Sequence, residues 1–247
     1  MGKAVISQVS GPVARAKDAS GIAMSEEVRI GELGLVGEVI EVRKDKIVMQ
    51  IYEDTTGLRP GAEVRGTGAP LSVELGPGLM GETFDGIQRP LKEIKEQGGI
   101  YIKPGQNIKP LDRDKKWEVE IKVSEGDQVE PNHIIAEVQE TSLLKHRIIV
   151  PPAITGKIAK INKQDSYQVD DTICVIETEN GEEELQLFHR WPVRQKRPYV
   201  DRLLPEKILF TGQRVIDFLF PIAKGGVAAI PGGFGTGKTV TQHSLAK

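Results

Sequence analysis

The residues with the most definite chemistry lie near the carboxyl end of the sequence. Gly232, Gly233, Phe234, Gly235, Thr236, Gly237, Lys238 and Thr239 have the spacing Gly-x-x-x-x-Gly-Lys-Thr, the pattern of a phosphate-binding loop. Glycines lack a Cβ, so successive backbone N–H groups can turn inward around a phosphate, and a helix that follows adds its positive end. In that arrangement Lys238 reaches the β- and γ-phosphate oxygens and stabilises charge during catalysis. The Thr239 hydroxyl is an oxygen ligand for the Mg²⁺ that travels with the nucleotide. The nucleotide-binding set therefore runs from Gly232 through Thr239 to Val240. A glycine-rich turn without a ligand is the plain alternative. The surroundings favour the loop, because an apolar run at 227–230 reads as a strand before it and 238–247 as the start of a helix after it.

Other reactive side chains form no comparable group. His133, His146, His189 and His243 are scattered without metal-ligand spacing, and the single cysteine, Cys174, sits in an apolar run as a small buried hydrophobe. Arg194, Lys196 and Arg197 form a basic cluster that suits a solvated face or a subunit contact better than a phosphate. The stretch 123–152 reads like a biotinyl or lipoyl carrier hairpin with Lys145 near its tip. The flanks Thr141-Ser142-Leu143-Leu144 and His146-Arg147 lack the acidic or Met-flanked turn such carriers use, so the expectation is a similar fold without the attachment.

The elements that must position the loop follow from composition and periodicity. With 33 Lys and Arg against 35 Asp and Glu in 247 residues, bulk electrostatics give no reason to expect nucleic acid. No apolar run approaches the ~20 residues of a membrane span, so a soluble protein is expected. Aromatics are only 5%, against 27 glycines and 15 prolines, which suits short strands joined by turns and not a long-helix bundle. Val- and Ile-rich runs at 3–9, 28–30, 37–42, 47–52 and 63–64 predict a small closed barrel over 1–68. A connector follows over 69–102, with a strand at 70–75 and a short helix at 91–97. A second β-rich segment covers 103–184, in which 123–138 and 161–176 echo each other as strand, polar turn, short strand. Two such halves facing each other make a sandwich. The last segment, 185–247, carries a helix at 213–220 and then the loop. The predicted fold class is thus mainly β: an amino-terminal β-barrel, an inserted sandwich-like β domain, and the start of an α/β core whose parallel sheet is truncated.

Several runs agree in order with one known family. The stretches LVGEVIEV at 35–42, QIYEDTTGLRPG at 50–61 and GPGLMGETFDGIQRPL at 76–91 resemble the amino-terminal half of rotary ATPase head subunits. The run from Gly212 to the end of the chain strongly resembles the catalytic A subunit of V-type or archaeal A-type ATPases. The intact loop sets it apart from the non-catalytic B subunit, and the insert at 103–184 from F-type catalytic subunits, because A subunits carry a bulge domain there. The resemblance implies ATP and ADP with Mg²⁺ as ligands, and an ATP hydrolase or synthase coupled to H⁺ or Na⁺ movement. The protein would sit in an alternating hexameric head with B subunits, in contact with central- and peripheral-stalk subunits, cytoplasmic and joined to the membrane only through the complex. It also implies that the water-activating Glu and the Asp supporting Mg²⁺ lie further along the chain than Lys247, so that these 247 residues alone are expected to be inactive. The alternatives are another P-loop motor or a non-catalytic carrier module.

Overall fold

Alternation of small and branched apolar residues closes the amino-terminal strands on themselves. The computed structural model describes residues 2–246 except 100, 153, 198, 200 and 202, so the outer bounds 1 and 247 lie outside the described residues. The chain divides into two compact units, Met1–Lys196 and Arg197–Lys247.

The first unit begins with β1 (Lys3–Ser10), β2 (Val13–Ser20), β3 (Glu26–Ile30), β4 (Leu35–Arg43), β5 (Lys46–Ile51) and β6 (Glu63–Pro70). They close into a barrel in the order β1-β2-β5-β4-β3-β6, every neighbour antiparallel. Ala4, Ile6, Val28, Val39, Met49 and Val64 are buried in one cluster. The sequence expectation missed β2, whose residues Val-Ala-Arg-Ala-Lys-Asp-Ala-Ser hold a branched apolar member only at the start. Its inward positions are Ala14 and Ala16, both buried. In a barrel this narrow, facing side chains share little room, so small residues fit where a hydrophobicity pattern looks for large ones.

Then come β7 (Ser72–Leu75), α1 (Leu91–Gly98), β8 (Trp117–Ile121), β9 (Gln128–Val129), β10 (Ile134–Gln139) and β11 (Lys145–Ile149). The second half of the insert is β12 (Gly156–Ile161), β13 (Ser166–Tyr167), β14 (Cys174–Thr178) and β15 (Gly181–Leu185), and β16 (His189–Pro192) returns to pair with β7. Two four-stranded sheets result, β11-β10-β8-β13 and β15-β14-β12-β9. The internal echo is real and goes further than expected: each half donates its short strand, β9 or β13, to the other half's sheet. The exchange wraps both sheets around one core that includes Val119, Ile135, Val138, Ile158, Val169 and Ile176. Gly156 is a glycine by necessity, since a Cβ there would strike the Glu177 carbonyl across the β12–β14 ladder.

The second unit holds β17 (Ile208–Leu209), α2 (Arg214–Leu219), β18 (Ile222–Ala223) and α3 (Lys238–Leu245). The only sheet among its described residues is the antiparallel pair β17–β18. The strand expected at 227–230 is not formed. A parallel strand gets its hydrogen bonds from neighbours reached through crossover connections, and no such neighbour is among the described residues. The rest of the fold class is as expected.

Candidate nucleotide-binding site

The loop is shaped by two glycines in the left-handed region and by two internal hydrogen bonds. Gly235 has φ +81° and Gly237, the residue preceding α3, φ +79°, conformations that L side chains rarely adopt. The Thr236 hydroxyl donates to the Gly233 carbonyl at 2.9 Å, which bends the loop back over its first residues. A Cβ on Gly232 would lie 2.5 Å from Thr236 Oγ1, so a side chain there would turn the Thr236 hydroxyl away from its bond to Gly233. The Lys238 ammonium donates to the Gly232 carbonyl, placing its charge within the loop. Among the described residues it pairs with no carboxylate.

Lys238 also opens α3, whose first turn has N–H groups without intrahelical acceptors. Lys238, Thr239 and Val240 therefore present backbone donors at the same end as the ammonium. Thr241 Oγ1 donates to Gly237 O at 3.1 Å and fixes the first turn to the loop. The donors collected here are N–H groups and one ammonium, which suit phosphate oxygens. A bare Mg²⁺ would find one hydroxyl, Thr239, where it takes six oxygen ligands. It fits this place only as the companion of a phosphate. No group of three His, Cys, Asp or Glu with metal-binding proximity occurs among the described residues.

The structure thus brings Gly232, Gly233, Thr236 and Lys238 together, with Gly235 and Gly237 as the turning points. Phe234 and Val240 stand out in solvent at the loop tip and on the helix, and the Thr239 side chain is exposed. Two supporting residues were missed in the sequence. Asp217 of α2 accepts from Thr211 N at 2.9 Å, Thr211 Oγ1 at 2.7 Å and Gly212 N at 3.0 Å. The backbone bond from Thr211, then its hydroxyl, hold the Asp217 carboxyl below the usual carboxylate range. Gln213 Nε2 donates to Ser244 Oγ at 2.9 Å, tying the start of α2 to α3. A Thr-Gly turn six residues before an Asp was the available signal.

The remaining sequence candidates have other work. Arg194 is exposed, as a solvated face requires, and its guanidinium also meets both oxygens of the buried Glu38 on β4, at 2.5 and 2.8 Å. The Tyr52 hydroxyl donates to the same carboxylate at 2.5 Å. The Arg194 hydrogen bond is the main reason the Glu38 carboxyl titrates below its ordinary value. Lys145 adjoins the hairpin tip, but its ammonium turns back onto Glu137 at 3.4 Å and Glu120 at 3.6 Å. Cys174 is buried, and burial pushes its thiol up to about 11. No helix among the described residues is long and apolar enough to cross a membrane.

Comparison with known proteins agrees with this architecture. Residues 6–68 match the ATP synthase alpha/beta family, beta-barrel domain. Residues 108–194 match the ATPsynthase alpha/beta subunit barrel-sandwich domain, the region of the two strand-exchanged sheets. The A subunit of the A-type ATP synthase of Methanopyrus kandleri is 52% identical over 246 residues, 99% of this chain and 42% of that protein. The corresponding A subunit from Thermococcus onnurineus is 52% identical over 98% of this chain and 42% of its own length. The V-type ATP synthase alpha chain of Halothermothrix orenii is 49% identical over 97% of this chain and 41% of its own length. The chain therefore spans about two-fifths of the length of the curated relatives it matches, including the loop at 232–239. A closed barrel, a strand-exchanged insert and half-identity along nearly the whole chain lead to one conclusion: the chain carries the barrel and barrel-sandwich domains of the ATP synthase alpha/beta family, to which it belongs, and it is similar to the A subunits of A-type and V-type enzymes.

Proposed function

We propose that the protein is the catalytic A subunit of a V/A-type rotary ATPase, hydrolysing or making ATP in step with H⁺ or Na⁺ movement across a membrane. The observation that carries this is the complete loop at 232–239 in a chain half-identical to A subunits. Its Lys238, at the start of α3, is unpaired by any carboxylate among the described residues. Binding begins with the N–H groups of the loop and of the first turn of α3, which surround a phosphate without any proton transfer. Lys238 exchanges the Gly232 carbonyl for β- and γ-phosphate oxygens and neutralises charge as the terminal phosphoryl group moves. Thr239 supplies one oxygen to the metal. When bound, Mg²⁺ would supply positive charge that offsets the phosphate charge, with the Thr239 hydroxyl helping to hold it.

The ligands are ATP or ADP with Mg²⁺, and the partners are B subunits in an alternating head with central- and peripheral-stalk subunits. The chain reaches the membrane only through that complex. The carboxylate that activates water is assigned to the remainder of the full-length protein, and the transition-state arginine to a neighbouring B subunit. These 247 residues alone are accordingly inactive. Titration of the full-length protein with a fluorescent ATP analogue tests the reading. Lys238→Ala should remove most of the affinity, and equal affinity in the two proteins would overturn it.

A further inference from the structure

The insert joins the rest of its unit through two chain segments, one entering before β8 and one leaving by β16, and a domain held in that way can pivot. Both segments are instead strapped down. Glu53, just past β5, has a side chain only 3% exposed. One of its oxygens accepts the Val36 N–H at 2.9 Å, and the other accepts the Gly105 N–H at 2.7 Å and Arg89 Nη1 at 2.9 Å. Arg89 Nε donates to Asp85 at 2.7 Å. The neighbouring Gln88 side chain makes two 2.7 Å bonds with the backbone of Glu74 on β7.

The carboxylate of Glu74 then reaches both segments that serve the insert. It accepts from Arg113 at 2.5 Å on the way in and from Arg190 of β16 at 3.4 Å on the way out. Arg113 lies 3.5 Å from Asp170 and stacks 4.6 Å from the ring centre of Phe188. Beyond β16, Arg194 closes a second strap on Glu38 of the barrel wall. On another side, Glu140, at the end of the β10–β11 hairpin, accepts the N–H groups of Gly78 and Met80 at 2.8 and 3.0 Å, so the connector is pinned to the hairpin as well.

We propose that residues 2–196 act as one rigid arm, in which the buried chain Glu53–Arg89–Gln88–Glu74–Arg113, closed by Arg194 on Glu38, carries a displacement of the insert's hairpin tip to the barrel. The pairs of Arg89 with Glu53 and Asp85 and of Arg113 with Glu74 are poorly hydrated, so they are directional and strengthen one another, whereas the Arg194 end of the second strap is exposed. Two separated straps remove the rotation that one would permit. The arm therefore cannot absorb strain at the base of the insert. The inference concerns mechanics alone and stands apart from any reading of the loop.

Spin labels on Lys17→Cys of β2 and Ser142→Cys of the hairpin tip test it in the intact protein by electron–electron distance measurement. Both positions are exposed, and within this chain Cys174 is buried and stays unlabelled. The rigid arm gives one narrow distance distribution, and opening a strap by Arg89→Met, or by Glu38→Gln with Arg194→Ala, at least doubles its width. A broad or two-peaked distribution in the otherwise unaltered protein overturns the proposal. So does a width unchanged in either strap variant that keeps its native circular dichroism.

Discussion

Arg89→Met isolates the energetics of the barrel–insert junction. The guanidinium is 10% exposed in its side chain and faces Glu53 at 3% and Asp85 at 15%. Methionine keeps much of the volume and removes the charge, so the change is electrostatic more than steric. Glu53 would keep the Val36 and Gly105 N–H groups but lose the cation it pairs with, leaving a carboxylate buried with a net charge. Removing one partner of such a pair costs about 3–5 kcal/mol. For a unit of this size each kcal/mol moves the midpoint roughly 2–4 °C, so the arm's melting transition should fall by roughly 6–20 °C in calorimetry. Glu53→Gln in the Arg89→Met background should recover part of that loss, because the uncompensated charge is gone. Additive costs for the pair, or a single-variant loss under about 0.5 kcal/mol, a surface-substitution value, would refute the buried-network account.

Other outcomes follow from particular contacts. Gly232→Ala should weaken nucleotide affinity while leaving the barrel's melting unchanged, since the new Cβ meets Thr236 Oγ1 and breaks its bond to Gly233; affinity equal to the parent's would count against the loop geometry. Ala14→Leu should destabilise the barrel by about 1–3 kcal/mol through overpacking, read as a lower denaturant midpoint, because Ala14 is fully buried. Burial lowers the His146 pKa from 6.5, with the Glu140 carboxylate opposing, so below pH 6.5 the unfolded chain takes the proton first. Stability should therefore be full above pH 6.5 and fall as pH drops through the window below it, a loss that His146→Gln should reduce in melts across that range. Cys174 should resist alkylation at pH 8 until the insert unfolds, and rapid labelling of the native protein would contradict its burial.

Local shape was more legible in this sequence than pairing over distance. The bends at Gly235 and Gly237 need only glycine at those positions, and the spacing of the proposed loop marks both. Barrel and insert were legible as classes because Val and Ile runs recur between turn residues. What escaped depends on distant parts. Strand β2 is written in alanines because the barrel interior is crowded, a fact about the facing strands and not about β2. The exchange of β9 and β13 is invisible in the internal echo, since both halves read alike whether or not they trade strands. Arg194, Lys196 and Arg197 are exposed as their clustering suggested, but the partner of Arg194, Glu38, lies 156 positions away and could not be read from it. The run at 227–230 has the composition of a buried parallel strand, and composition cannot supply the neighbours such a strand pairs with.

Steady-state hydrolysis of MgATP by the assembled full-length enzyme carrying Lys238→Ala addresses the central claim most directly. In the proposed reaction Lys238 is the side-chain cation the loop offers to the moving phosphoryl group, and loss of one preorganised charge of this kind costs on the order of a hundredfold or more in rate. At least that loss is predicted, with assembly and the melting of the barrel and insert unchanged. Turnover within a few-fold of the parent enzyme would show that the loop at 232–239 is not where this protein handles phosphate.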